Sequence, residues 1–285
     1  MASVAWWRRS TAALGPESVE QSRDARAVRL RIPGLRGTAT HPRRLMDYAV
    51  ANHIYTCATE AGVVVLDSRR GKYSIVPGDR ARSLEEVVRG WPVLPPAEAA
   101  SENQTAASST LLNSLVRGGI VMPMTDPRLR VCTRTAVSVA QEALLDALAA
   151  RERPKIRWRH VVTFSLSVTY AIAMLKSRPF EALLHNLRRR KERDASAHAK
   201  HSIADIRECV RSFSWLRPLA YAESEACLFD SVVLTDFLIR QGILAEFLIG
   251  VRIRPFVAHS WVQIQGFALN DLPEYLAAYT PILSV

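Results

Sequence analysis

The hydrophobic positions change period along the chain, and each change predicts a different kind of element. Between residues 45 and 123, "NHIYTCAT", "VVVLDS" and "YSIV" are short alternating or apolar runs separated by "EAG" and "RRGK". Such runs, bounded by glycine-containing turns, predict three small antiparallel strands. "SLEEVVRGW" follows, and Ser83 with Glu86 has the spacing of a capping box that opens a helix. "ASSTLLNSLVRGG" predicts a second helix, closed by glycines. From residue 136 to 216 the period is helical: "AVSVAQEALLDALAARER", "WRHVVTFSLSVTYAIAMLK", "PFEALLHNLRRRKER" and "HSIADIRECVRSFSWL". Pro154, Pro179 and Pro218 stand at the junctions, where proline is tolerated. "ACLFDSVVLTDFLIRQ" is a further helix stopped by Gly242, and "LAEFLIGVR", "FVAHSWVQI" and "FALND" follow it as strands.

This order predicts an α+β protein in two parts. Residues 45–123 form a winged-helix-like module of three strands and three helices. Residues 124–285 form a helical region that leads into a helix packed on an antiparallel sheet. Residues 1–44 carry breakers, many arginines and no sustained period, and are expected to be a disordered arm. A length of 285 residues suits this division.

Composition narrows the class. The run "VVTFSLSVTYAIAML" is shorter than the roughly 20 residues that span a bilayer, and no secretory signal is visible. A soluble, cytoplasmic protein is expected. Cys57, Cys132, Cys209 and Cys227 are scattered, without a CxxC pair or Cys/His metal spacing, which suits a reducing compartment and predicts neither a disulfide framework nor a metal site. The net charge of +11 invites nucleic acid, an acidic membrane surface or an acidic peptide. Arginine-rich faces are more simply solvated, so "RRRKER" (188–193) is read as a surface and nucleic acid as the lesser partner.

The chemistry concentrates in the last seventy or so residues. With Ser224 as N-cap, Cys227 becomes the third residue of its helix, where unpaired N–H groups and the helix dipole lower a thiol pKa. In "FVAHSWVQIQ" the period of two puts His259, Trp261 and Gln263 on one face of a strand. His259 is the candidate to take the thiol proton and return it to a leaving amine. Asp271 in "QGFALND" is the candidate to orient the imidazole, with Asn270 as the alternative. A two-residue turn at Gln265–Gly266 would pair Ser260 with Asp271 and set the acid on the wrong face. A three-residue turn over 265–267, or a bulge, is therefore expected.

Helix-borne cysteine, strand-borne histidine and strand-borne aspartate come in the order of transglutaminase-like and papain-like cysteine enzymes. "CLFDS", "IGVR", "PFVAHSWVQ" and "LND", occurring in that order, resemble the lasso-peptide biosynthesis B proteins over roughly residues 135 to 285. The resemblance implies a leader peptidase with catalytic residues Cys227, His259 and Asp271; no motif marks the family's oxyanion donor, and the Cys227 N–H is the candidate named for it here. It implies a lasso precursor peptide and an ATP-dependent cyclase as partners, no bound cofactor, and ATP dependence only through that cyclase. The first module similarly resembles a precursor-peptide recognition element, which holds the leader as an added strand. Here that corresponds to Lys72, Tyr73, Ser74, Ile75 and Val76 with Leu111 and Leu115 of the following helix. The alternatives are a non-catalytic winged-helix peptide- or DNA-binding protein, and an acyltransferase using the same triad.

Overall fold

The computed structural model describes residues 48–95, 105–124, 138–145, 153–195, 201–221 and 227–285. The arm expected at 1–44, Ser224 and Cys132 lie outside the described residues.

The first part contains β1 (Tyr48–Val50), β2 (Ile54–Thr59), β3 (Gly62–Asp67), β4 (Lys72–Pro77), α1 (Gly78–Arg82), β5 (Val88–Arg89), α2 (Thr105–Arg117) and β6 (Val121–Pro123). Strands β2, β3 and β4 form an antiparallel meander with β4 at one edge. A second small sheet has β1 between β5 and β6. The segments read as three strands are the meander, and α2 is the helix read at "ASSTLLNSLVRGG".

The expected helix at "SLEEVVRGW" does not form. The helix lies earlier, and Ser83 is its C-cap, with Oγ donating to the Arg80 carbonyl at 2.8 Å. Leu84 and Val88 are both buried, but Val88 pairs in parallel with Tyr48, so the strand partner captures the chain after one turn. Among the described residues the module has six strands and two helices, where three of each were expected.

Strand β3 is buried along its whole length. Alternate residues of a strand face opposite ways. Val63 and Val65 join Ile54, Val76, Trp91 and Leu115 in the module's own core. Val64 and Leu66 join Tyr55, Cys57 and Tyr73 in the core of the second part. The meander is thus an inner layer shared by both parts, and the unbroken run "VVVL" is the pattern of a strand buried on two faces.

The second part contains β7 (Glu142–Ala143), α3 (Trp158–Ser177), α4 (Phe180–Ala195), α5 (Ile203–Leu216), α6 (Cys227–Arg240), β8 (Glu246–Arg252), β9 (Val257–Ile264), β10 (Phe267–Ala268), α7 (Pro273–Leu276) and β11 (Thr280–Ser284). The sheet order is β11-β8-β9-β10-β7. The helix expected from residue 136 is overturned where it is described. Glu142 and Ala143 pair in parallel with Phe267 and Ala268. The buried Gln263 carboxamide pins the approach, donating to Ser138 O at 2.9 Å and accepting from Ala140 N–H at 3.1 Å.

Helix α6 is the core of this part, with every residue from Asp230 to Ile239 buried. It packs against Phe247, Ile249, Val251, Ala258 and Val262 of the sheet and against Phe164, Leu183 and Phe213 of the surrounding helices. A buried carboxylate needs paired charge. Asp236 receives it from Arg190 and from Arg240, the latter at 2.7 Å. Arg188 donates to the Tyr55 hydroxyl at 2.7 Å. The "RRRKER" run is therefore only partly a solvated surface, because two of its arginines turn inward to named partners. Among the described residues no helix is long and apolar enough to cross a membrane.

Candidate active site

Cys227 is the first described residue of α6. The helix packs on the face of β9 that carries Ala258, Ser260 and Val262, as alternation requires. The thiol lies within reach of both the His259 imidazole and the main chain of Ser260. Ser231 Oγ, one helical turn on, donates to Ser260 O at 2.9 Å and fixes the helix against the strand at this point.

Burial alone would push the Cys227 thiol up. The His259 imidazole, through its hydrogen bond and its charge, overrides this and holds the thiol below its ordinary value. Burial likewise opposes charge on His259, but the Asp271 hydrogen bond and the contact with Cys227 raise it to about 9. The two shifts belong to one coupled pair and favour thiolate beside imidazolium. The other described cysteines behave oppositely: burial pushes Cys57 up to about 12 and also raises Cys209.

His259 Nε2 donates to Asp271 Oδ2 at 2.5 Å, which leaves Nδ1 toward the thiol. The loop that delivers Asp271 is not the expected one. Phe267 pairs with Ile264, so Gln265–Gly266 is a two-residue turn, with both residues at positive φ (49° and 86°). This is the type I′ geometry that matches strand twist. Asp271 reaches the imidazole because β10 ends at Ala268 and the chain then leaves the ladder.

Asn270, the alternative orienter, has another position. Its Oδ1 accepts from Val262 N–H at 2.9 Å, and its Nδ2 donates to Asp230 Oδ2 at 2.9 Å and to Ser231 Oγ at 3.2 Å. Asp230 also accepts from the Tyr221 hydroxyl at 2.9 Å and pairs with Arg217. The sequence reading missed Asp230, Ser231, Tyr221 and Arg217. The available signal was an aspartate and a serine on the buried side of an apolar helix, where polar groups require partners.

Behind the imidazole stand Trp261, Tyr275 and Tyr279. Trp261 is fully buried, and its indole N–H donates to Gln263 Oε1 at 3.1 Å. Gly250 lies opposite His259 in the ladder, and a Cβ there would come within 2.8 Å of the Trp261 ring and 2.9 Å of Tyr279 Cβ. The glycine of "IGVR" therefore admits the rings that back the histidine.

The second set of expected residues falls on β4 and α2. No described strand pairs with the outer edge of β4. Lys72 and Ser74 are exposed, Val76 and Leu115 lie in the first core with Leu111 against it, and Ile75 packs on the second core. Tyr73 turns away from α2. It is buried in the second core, edge-on to Phe256 at 5.5 Å. No group of three or more His, Cys, Asp or Glu among the described residues is arranged to hold a metal ion.

Residues 166–284 match the transglutaminase-like superfamily model. The chain is 38% identical to the microcin J25-processing protein McjB of Escherichia coli over 68 residues, which is 24% of this chain and 32% of that protein. The match thus spans about a third of that relative's length. No solved structure matches the chain.

Proposed function

We propose that residues 124–285 act as a cysteine peptidase that removes the leader from a ribosomally made lasso-peptide precursor, and that residues 45–123 hold that leader. The observation that carries the reading is the single imidazole bonded to Asp271 on one side and meeting the Cys227 thiol on the other. The transglutaminase-like match and the similarity to a microcin-processing protein support the same class.

In this reading the thiolate attacks the carbonyl at the leader–core junction, with the Cys227 N–H as a donor to the oxyanion. The His259 imidazolium gives its proton to the leaving nitrogen, so the core departs with a free amine. Water, deprotonated by His259, then cleaves the thioester and restores the thiol. Asp271 holds the ring through both steps. The open edge of β4 would take the leader as an added strand beside α2, which raises the local concentration of the junction at the thiol. The core passes to a cyclase, and any ATP requirement enters through that partner. The setting is cytoplasmic.

The test is mass spectrometry of a candidate precursor peptide incubated with the protein, wild type beside Cys227→Ala, with and without cyclase and ATP. A leader-sized fragment from the wild type alone supports the reading. Bound but intact precursor in every tube overturns it. The transglutaminase-like match favours one second reading, acyl transfer to an amine. Its product would weigh leader plus amine instead of leader plus water.

A further inference from the structure

In an antiparallel ladder the main-chain groups of alternate residues point to the same edge. On β9, Ile264 pairs with Phe267 across the two-residue turn, and Val262 O accepts from Leu269 N–H at 2.9 Å. The N–H and C=O of Ser260 therefore face that same edge, beyond the stretch that β10 covers. Among the described residues no strand pairs with Ser260 on that side. Helix α6 takes the strand's place, because Ser231 Oγ donates to Ser260 O at 2.9 Å. Cys227 stands one turn before Ser231 on the same face of that helix, and its sulfur meets Ser260 there.

The Ser260 side chain faces α6, between Ala258 and Val262, and is 1% exposed. Its Oγ finds no hydrogen-bond partner among the described residues. Buried hydroxyls are normally paired, and one left unpaired is costly, so this one calls for a reason. The Cys227 sulfur lies within its reach. A thiol is a weak acceptor, whereas hydrogen bonds to a charged acceptor are strong. The hydroxyl is thus unspent while the sulfur is neutral and gains a partner once the sulfur is charged. Ser231, the other hydroxyl at this contact, is already committed to Ser260 O and to Asn270 Nδ2.

We propose that Ser260 is a further catalytic residue, whose hydroxyl donates to the Cys227 sulfur whenever that sulfur carries charge. That is so in the resting thiolate, and again when water attacks the thioester and the thiolate is expelled. The proposal rests on the peptidase reading, in which Cys227 is the nucleophile. No proton changes hands at Ser260, which keeps its hydrogen throughout, and His259 moves the protons. The main-chain N–H at this position is present whatever the side chain, so the hydroxyl is what serine adds.

The experiment measures iodoacetamide labelling of Cys227 against pH in the full chain, for wild type, Ser260→Ala, Ser260→Thr and His259→Ala, beside urea unfolding of each. Ser260→Ala should move the labelling profile to higher pH and lower the rate at pH 7 about threefold. Its urea midpoint should hold or rise, because a methyl group replaces an unpaired buried hydroxyl. Ser260→Thr keeps the hydroxyl and should keep the wild-type profile. A merely structural serine would show the reverse, a lower urea midpoint with labelling unmoved. A Ser260→Ala profile that superimposes on the wild type, while His259→Ala shifts, overturns the role of Ser260 and leaves the thiolate–imidazolium pair standing. The labelling needs no substrate, so it decides on Ser260 even where precursor is bound and left uncut, the outcome that overturns the peptidase reading.

Discussion

Asp271 bonds to His259 although the ladder between β9 and β10, continued in register, would set Asp271 opposite Ser260 on the other face. The ladder stops in time. Leu269 N–H still reaches Val262 O at 2.9 Å, and then the Asn270 side chain accepts the Val262 N–H in place of a main-chain partner. The chain can then turn without leaving that N–H unpaired, and the carboxylate swings to the imidazole.

Asp271→Asn is therefore expected to be more damaging than a neighbouring amide would suggest. Asn270 is already committed to Val262, Asp230 and Ser231 and cannot take over. The substitution keeps the shape but removes the charge that supports the imidazolium. A loss in kcat of roughly 100-fold or more, with KM nearly unchanged, is expected from steady-state kinetics on the precursor peptide. Activity within a few-fold of wild type would mean that Asp271 does not orient His259.

Asn270→Ala tests the device itself. It strips a partner from the buried end of β9 and from Asp230 of the cysteine helix. Leaving such groups unsatisfied costs about 1–3 kcal/mol, so the urea midpoint should fall with the slope unchanged. Activity should fall as well, because Asp271 loses the bend that delivers it.

How much of this could be read from sequence varies by element. The meander, α2, the four long helices of the second part and strands β8 and β9 follow from periodicity and breakers. The place of Cys227 on a helix and of His259 on the strand packed beside it follows in the same way, whereas the meeting of Asp271 with His259 does not follow from the strand register. The turn was misread because the ladder was assumed to run on to residue 271. A strand that ends early on a side-chain hydrogen bond leaves no mark on alternation. "SLEEVVRGW" was misread because local capping favours a helix, whereas pairing of Val88 with Tyr48 is a contact across forty residues of sequence. Glu142 and Ala143 sit in a helical-looking stretch for the same reason. The inward turn of Arg188 and Arg190 depends on Tyr55 and Asp236, which no local pattern connects to that run.

Gly250→Ala should damage the site without touching a chemical group. The new methyl would meet Trp261 and Tyr279, which flank His259, and both residues are buried. Overpacking of this kind typically costs about 1–3 kcal/mol. The expected result is a lower melting temperature together with a drop in kcat larger than the stability loss explains at the assay temperature. A silent Gly250→Ala would mean that the rings can relax away from the imidazole.

Gln265→Asn should be stabilising. Gln265 sits at φ 49°, a left-handed conformation that asparagine and glycine adopt more readily than glutamine. A gain of about 0.5–1 kcal/mol in denaturant unfolding is expected, with kcat unchanged, because the turn is remote from the imidazole in the hairpin.

The charge state of the pair can be read without any substrate. Iodoacetamide attacks thiolate, so its rate against pH follows the Cys227 titration, and peptide mapping assigns the label. His259 holds the thiol below its ordinary value, so labelling at pH 7 should be faster than for an ordinary thiol. In His259→Ala the imidazole's hydrogen bond and charge are gone and only the Ser260 hydrogen bonds oppose burial, so the thiol rises and the rate at pH 7 should fall about tenfold or more. Cys57, pushed up to about 12 by burial, should stay unlabelled in the folded chain. Peptidase activity should decline as pH rises through about 9, where His259 loses its proton, and Asp271→Asn should move that decline to lower pH. Stability has two opposite parts. The raised His259 pKa contributes fully below 6.5 and is lost as pH rises through about 9. The lowered Cys227 pKa contributes above 9.0 and is lost as pH falls through its folded value. Equal labelling rates in wild type and His259→Ala across this range would remove the thiolate–imidazolium pair, and with it the claim that Cys227 is an activated nucleophile.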